Sequence, residues 1–254
     1  MDSKSAIVAR RSVRRYTGEP LRESLYDELA AFVAQVRPLH DDIPVDIELC
    51  SRKDFAADYA RAMLYQAGDF VVLRSAGNAQ GYLENIGFIG EQIVLWLTQR
   101  GVGTCWAGMA KPKNLPARGE LPYVIAVQFG RADNEPFRRL PEEAPRKKLH
   151  EIVLGRIALP EYLPLLDAGR LAPSAVNLQP VRYLTDDEGI HICRVKPPVA
   201  NAALDRMQRI DVGAAMANMF VECGGDCTWA RRSTPPDVGK NYIYEYTMLL
   251  SQGK

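Results

Sequence analysis

Hydrophobic positions along the chain recur with the periods of both helices and strands. Residues 83–101, LENIGFIGEQIVLWLTQRG, set Ile86, Ile89, Ile93 and Leu97 at helical spacing, with Gly87 and Gly90 among them. This predicts a long buried helix ended by Gly101 and Gly103. Helices are also expected over residues 19–36, with Pro20 near the start, over 54–68, and over 210–225. A shorter one is expected over 160–171, interrupted near Pro164. PVDIELC at 44–50 and KNYIYEYTML at 240–249 alternate as half-buried strands do. DFVVL at 69–73 predicts another strand, and LPYVIAVQFG at 121–130 predicts one buried on both faces. VRYLTDDEGIHICRV at 181–195 predicts a hairpin turning at DDEG, and the polar residues 131–145 predict a loop.

Composition narrows the classes. A chain of 254 residues, 47% hydrophobic, is long enough for one large domain or two small ones with a sizeable core. A net charge of +1 is not the basic excess of a nucleic-acid binder. The candidate span at 83–101 carries Glu84, Asn85, Glu91, Gln92 and Gln99, too polar for a membrane helix. MDSKSAIVARR lacks the apolar run of a signal peptide. The cysteines number five and are scattered, which favours reduced thiols and a cytoplasmic location over a disulfide framework. Cys223 and Cys227 lack two further ligands at zinc spacing, so no metal is expected. His40, His150 and His191 are spread apart and are read as ordinary surface or core histidines.

A faint internal duplication runs through the chain. NIG at 85–87 opens one long helix and DVG at 211–213 another. Glycines and a Cys–Trp region follow each, GVGTCWAG and GGDCTWAR. Gly87 and Gly90 on one helix, and Gly213, Ala214 and Ala217 on the other, would let the two backbones approach closely.

Three stretches carry candidate chemistry. ARRSVRRY at 9–16 gathers Arg10, Arg11, Arg14 and Arg15 around Ser12. Guanidinium groups bind phosphate in bidentate fashion, and a serine hydroxyl with its backbone N–H could complete a phosphate cradle. A solvated basic cap or a nucleic-acid patch are the other readings of the same residues. APRKKLHEIV at 144–153 places Arg146, Lys147 and Lys148 before a short helix, where cations oppose the helix dipole and an anion would be welcome. RLAPSAVNLQP at 170–180 brackets Ser174, Asn177 and Gln179 between Pro173 and Pro180, a tight polar loop after a helix.

Taken together, RRSVRRY, GVGTCWAG, RKKLHEIV and APSAVNLQP resemble the FMN-dependent nitroreductase family, over most of the chain. The resemblance implies an α+β fold of mainly antiparallel mixed sheets with helices. It implies that Arg10, Arg11, Ser12 and Arg14 hold the flavin phosphate, joined by Arg146 and Lys148. Pro173, Ser174, Ala175, Asn177 and Gln179 match the loop that a partner subunit supplies in the family dimer. Trp106, Ala107 and Gly108 match a turn along the flavin ring.

The order departs from the family. The A-P-S loop normally follows the R-R-S segment closely, but here VRPLHDDIPVDIEL stands in that place and the loop comes far later. This resembles a single-chain subgroup in which two halves, residues 1–154 and a degenerate 155–254, mimic the family dimer. Val181 stands where the family usually has Trp, which alters the pocket rim. The implied activity is reduction of a nitroaromatic, quinone or similar acceptor by NADPH or NADH through FMN, with no protein side chain named as catalytic. Alternatives are a flavin sensor or carrier with little turnover, a flavin-dependent dehalogenase or flavin-fragmenting relative, and an interaction protein that has lost the cofactor. The implied partners are a small-molecule substrate, with no nucleic acid and no membrane, and the implied assembly is a monomer.

Overall fold

The computed structural model describes residues 1–52, 68–108, 121–197 and 201–251. Helix α1 (Ser3–Ala9) starts at Asp2, whose carboxylate accepts the Ser5 N–H at 2.7 Å. Then come α2 (Glu23–Val33), β1 (Val45–Cys50), β2 (Asp69–Ser75), α3 (Tyr82–Gln99), β3 (Gly103–Trp106) and β4 (Tyr123–Gly130). The second part has α4 (Leu149–Ile152), β5 (Val153–Leu154), α5 (Tyr162–Leu171), β6 (Val181–Asp186), β7 (Gly189–Val195), α6 (Ala202–Glu222), β8 (Cys227–Ala230) and β9 (Tyr242–Leu250). Among the described residues no helix is long and apolar enough to cross a membrane.

The strands form two sheets. The first has four strands in the order β1-β2-β4-β3, antiparallel throughout. The second has five, β5-β6-β7-β9-β8, antiparallel except for the parallel pair β5 and β6. Apart from β5, one order of elements occurs twice among the described residues. Helix–strand–strand–helix–strand–strand runs from α2 to β4 and again from α5 to β9, and the strands take the same order in each sheet.

Most elements fall where periodicity places them. Strand β4 is buried nearly throughout between β2 and β3, and β6–β7 is the expected hairpin. The helix expected over 54–68 lies outside the described residues, apart from Gly68. Pro164 does not interrupt α5. It occupies the first turn, where its missing N–H is one the helix leaves unpaired anyway. Helix α6 begins at Ala202, well before Ile210, because Asn201 caps it by accepting the Leu204 N–H at 3.0 Å. The GVGTCWAG stretch, expected as a turn, supplies the edge strand β3 before turning at Ala107 and Gly108.

Helices α3 and α6 cross at the centre, each against its own sheet and each other. A Cβ placed on Gly87 would run into the Ile210 carbonyl oxygen, and one on Gly213 into the Glu84 carbonyl oxygen. The contact is reciprocal: each glycine meets the carbonyl three residues before the other. Gly90 departs from the expectation that it faces α6. Its missing Cβ makes room for the Trp106 ring and Leu73, on the side toward the first sheet.

Beside the crossing runs a chain of ion pairs built on the buried Glu84, Glu245 and Arg194. Glu84, fully buried, takes a bidentate pair from Arg209 at 2.8 and 2.9 Å. Arg231 bridges Glu84 to Glu245 at 3.3 Å each, and Arg194 joins Glu245 at 2.6 Å to Asp205 at 2.7 Å. Such a network contributes little net stability when intact, but removing one member strands a charge.

Because the obstacles at Gly213 are backbone atoms, including the Phe88 nitrogen at 2.7 Å, no rotamer change can relieve them. Gly213→Ala is expected to destabilise the fold by about 1–3 kcal/mol, as overpacking does. Gly77→Ala, where a Cβ would meet only Pro122 at 3.8 Å, is expected to be near neutral. Urea denaturation of the two variants checks the contrast.

Candidate flavin site

The arginine segment leaves α1 as an extended strip along β3. The Val13 N–H donates to the Thr104 carbonyl at 2.8 Å, and Ser12 bridges Thr104 in parallel. Extended backbone sends alternate side chains to opposite sides. Val13 therefore packs on Gly103, while Ser12 and Arg14 face a cavity. Arg11 points into solvent.

Arg10, 2% exposed, turns inward. Its Nε lies 3.7 Å from Glu91 Oε1, and Glu91 Oε2 accepts the Trp106 indole N–H at 2.8 Å. Arg138 joins them because its N–H donates to the Ala9 carbonyl at the end of α1, at 2.9 Å. Burial, then the neighbouring guanidinium of Arg10, pushes Arg138 down to about 9 and Arg146 down to about 10. Burial pushes Glu91 up to about 7, against the attraction of Arg10. Three guanidiniums thus crowd one carboxylate that is itself reluctant to ionise. Arg10 Nε and Arg138 Nη1 are buried and lack hydrogen-bond partners among the described residues. Buried donors left unpaired are costly, and an anion would satisfy them.

The polar loop arrives from the second half. The Ser174 hydroxyl accepts the Gln179 N–H at 2.9 Å, and the Ala175 N–H donates to Asp211 Oδ1 at 3.0 Å. Asn177 Oδ1 accepts from Arg146 Nη1 at 2.7 Å, and Gln179 Oε1 accepts the Lys147 N–H at 2.6 Å. Asn177 and Gln179 therefore clamp the basic 145–147 segment and are absent from the cavity lining, as is Lys148. Lys148 sits at the start of α4, its N–H donating to Glu151 at 2.7 Å.

A cavity of about 220 Å³ lies between these parts. Ser12, Arg14, Cys105, Trp106, Gly108 and Ile125 form one wall. Pro173, Ser174, Ala175 and Val176, with Met207, Ile210, Asp211 and Ala214 of α6, form the other. Ala107 is fully buried behind it, its N–H on the Ala126 carbonyl at 2.8 Å. Glu91, Arg138, Ile125, Met207 and Asp211 are additions that motif reading missed. Asp211 and Glu91 did leave a trace, as lone acids within runs of small or apolar residues. Arg138 left none, since its place depends on a backbone bond to α1.

The loop is strained. Val176, Asn177 and Gln179 have φ of 44°, 58° and 50°. Asn tolerates this region, but a β-branched residue does not. Val176 is also 84% exposed at the mouth of the cavity, so little packing offsets the strain. Val176→Asn is expected to raise stability by about 1 kcal/mol, readable as an increase in melting temperature.

The fold is that of the crystal structure of a "putative nitroreductase" from Thermotoga maritima, with a TM-score of 0.66 at 21% identity, covering 99% of this chain and 95% of that one. A nitroreductase family protein from Clostridium difficile covers 63% of this chain and 99% of its own, at 15% identity and a TM-score of 0.49. A nitroreductase with bound FMN from Desulfitobacterium hafniense covers 58% and 98%, at 15% identity and a TM-score of 0.44. No curated protein matches the chain. Residues 2–222 match the family model described as "Putative TM nitroreductase", and the chain accordingly belongs to the nitroreductase family.

Proposed function

We propose that this chain is an FMN-dependent oxidoreductase in which NADPH or NADH reduces a nitroaromatic, quinone or similar acceptor. One observation carries the reading: behind a largely apolar cavity, reached through Trp106 and Glu91, lie buried guanidinium donors without a hydrogen-bond partner among the described residues. FMN has that shape of chemistry, a flat apolar ring system joined to a phosphate. The phosphate belongs with Arg10, Arg138 and Arg146, and Arg14 and Ser12 offer further donors from the cavity wall. Trp106, Ile125 and Ile210 supply apolar surface for the ring. The chemistry supplied by a bound flavin is hydride acceptance from reduced nicotinamide and electron delivery to an acceptor. The protein binds, orients and partly screens the site from water. Its walls come from distant parts of the sequence, so the site exists only when both are folded together.

We further propose that the halves 1–154 and 155–254 stand for the two subunits of a family dimer, with one site retained. Supporting this are the repeated element order and the reciprocal glycine contact. Counted from Gly87 and Gly213, Phe88 takes the place that Ala214 takes at the cavity. Phe88 is buried against Phe220 and Trp229, with ring centroids 5.2 and 6.3 Å away. A large aromatic thus fills the position where the second site would need a small residue. The chain should therefore be a monomer that needs no partner to hold its flavin.

Protein purified with its flavin is expected to release one FMN per chain and to bleach anaerobically on addition of NADPH or NADH. Two equivalents per chain would rule out the single-site reading, and FMN that stays oxidised would make this a flavin-binding protein without nicotinamide-driven turnover. Light scattering of the dilute holoprotein should give the mass of one chain. Replacing Arg14 and Arg138 together by Ala should weaken FMN far more than riboflavin, since each charge-assisted bond is worth roughly 1.5–3 kcal/mol. Equal losses for the two ligands would place the phosphate elsewhere.

A further inference from the structure

Asp211 stands in the cavity wall with 7% of its surface exposed. One carboxyl oxygen, Oδ1, accepts the Ala175 N–H at 3.0 Å. The other, Oδ2, has no hydrogen-bond partner among the described residues. A buried carboxyl oxygen left unpaired in a residue of the cavity wall calls for a partner, which a ligand can supply, unless holding the loop alone explains the group.

The other half of the molecule indicates that it does not. Asn85 precedes Gly87 by the same two residues that separate Asp211 from Gly213. Its Oδ1 accepts the N–H groups of Leu39 and His40 at 2.7 and 3.1 Å, in the segment joining α2 to β1. Holding the neighbouring loop is thus done there by a neutral amide. Asp211 adds an ionisable proton to the same task.

The groups around Asp211 leave that proton in place. Arg146 approaches from the segment before α4, its Nε on the Ala172 carbonyl and its Nη1 on Asn177 and the Pro145 carbonyl. Arg170 of α5 and Tyr183 of β6 line the cleft behind the loop, and Arg14 and Cys105 lie across the cavity. On α6 itself, Arg209 is turned to Glu84 of α3, and Glu91 of α3 faces Arg10 and Trp106. Burial prevails, opposed by the Ala175 bond and then by Arg146, and pushes Asp211 up to about 8.

We propose that Asp211 binds the flavin as a carboxylic acid, its Oδ2–H donating to an acceptor oxygen of the cofactor, so that binding takes up a proton whenever Asp211 starts ionised. The proposal rests on the flavin reading above. An ionised Asp211 would be repelled by the phosphate and ring carbonyl oxygens of the ligand, which only accept, and could pair only with a hydroxyl or a ring N–H. The protonated form turns the same contact into a donor–acceptor pair. Binding holds the proton to higher pH than in the free protein. Affinity is then insensitive to this group below about pH 8, and above it the Kd rises by up to tenfold per pH unit.

Titration of the apoprotein with FMN from about pH 6.5 to 9.5, followed by flavin fluorescence, tests this. The wild-type Kd should be level at the low end and climb toward tenfold per unit at the high end. Asp211→Asn retains an acceptor for Ala175, as Asn85 does for its own loop, and should give a level profile. Calorimetry of the wild-type protein in buffers of different ionisation enthalpy needs no variant. It should show proton uptake growing toward one per FMN across the same range. A level wild-type profile without proton uptake, or a slope that persists in Asp211→Asn, would overturn the assignment. No FMN binding at any pH would instead overturn the flavin reading itself.

Discussion

Helices α3 and α6 meet backbone to backbone, and the contact depends on Gly87 and Gly213 having no side chain. Each glycine lies against a carbonyl of the opposite helix, so the contact is between main chains. Main-chain contacts do not adjust as side chains do, and the crossing therefore holds the two helices, and the sheets packed on them, at one separation. The cavity depends on that separation: Met207, Ile210, Asp211 and Ala214 of α6 form one wall, and β3 with the arginine strip forms the other. Trp106 reaches its place for a related reason, since Gly90 leaves space for its ring.

Helix α3 carries two fully buried acids, Glu84 and Glu91, seven residues and so about two turns apart. Their surroundings differ. Glu84 has both oxygens bound by Arg209 and a further contact with Arg231. Its charge is matched, and it ties α3 to α6 and the second sheet. Glu91 has one oxygen on the Trp106 indole and the other left to a distant Arg10. Around it cations are in excess. One acid closes an internal network, and the other leaves neighbouring donors available. The difference separates an internally matched ion cluster from one with unpaired donors, which charge count alone does not show.

The 172–180 loop joins strain to function. Its left-handed residues fold it tightly enough for Asn177 and Gln179 to grip the 145–147 segment while Ser174 and Ala175 stay at the cavity. Val176 occupies a conformation that suits it poorly, and strain of that kind persists only where surrounding bonds enforce it. Here the enforcing bonds are those of Ser174 with Gln179 and of Ala175 with Asp211.

The chain pattern by itself determined the main elements. Apolar runs and spacing located α3, β2, β4, the β6–β7 hairpin and β9, because the apolar residues that bury each element stand close together in the chain. The R-R-S-x-R and A-P-S-x-x-N-x-Q-P stretches were legible for the same local reason. What required tertiary structure was anything set by contacts between distant residues. Pro164 looked like a break until its position in the first turn of α5 was known. Gly90 looked like a partner for α6 until the sheet turned out to claim its face. Asn177 and Gln179 carry the right chemistry for a cavity, yet the fold spends them on the basic segment. Arg138 belongs to no local pattern, and Asp211 shows in the sequence only as a lone acid among small and apolar residues. Their part in the site comes from a crossing of two helices and from one backbone bond to α1, long-range contacts that no stretch of sequence encodes alone.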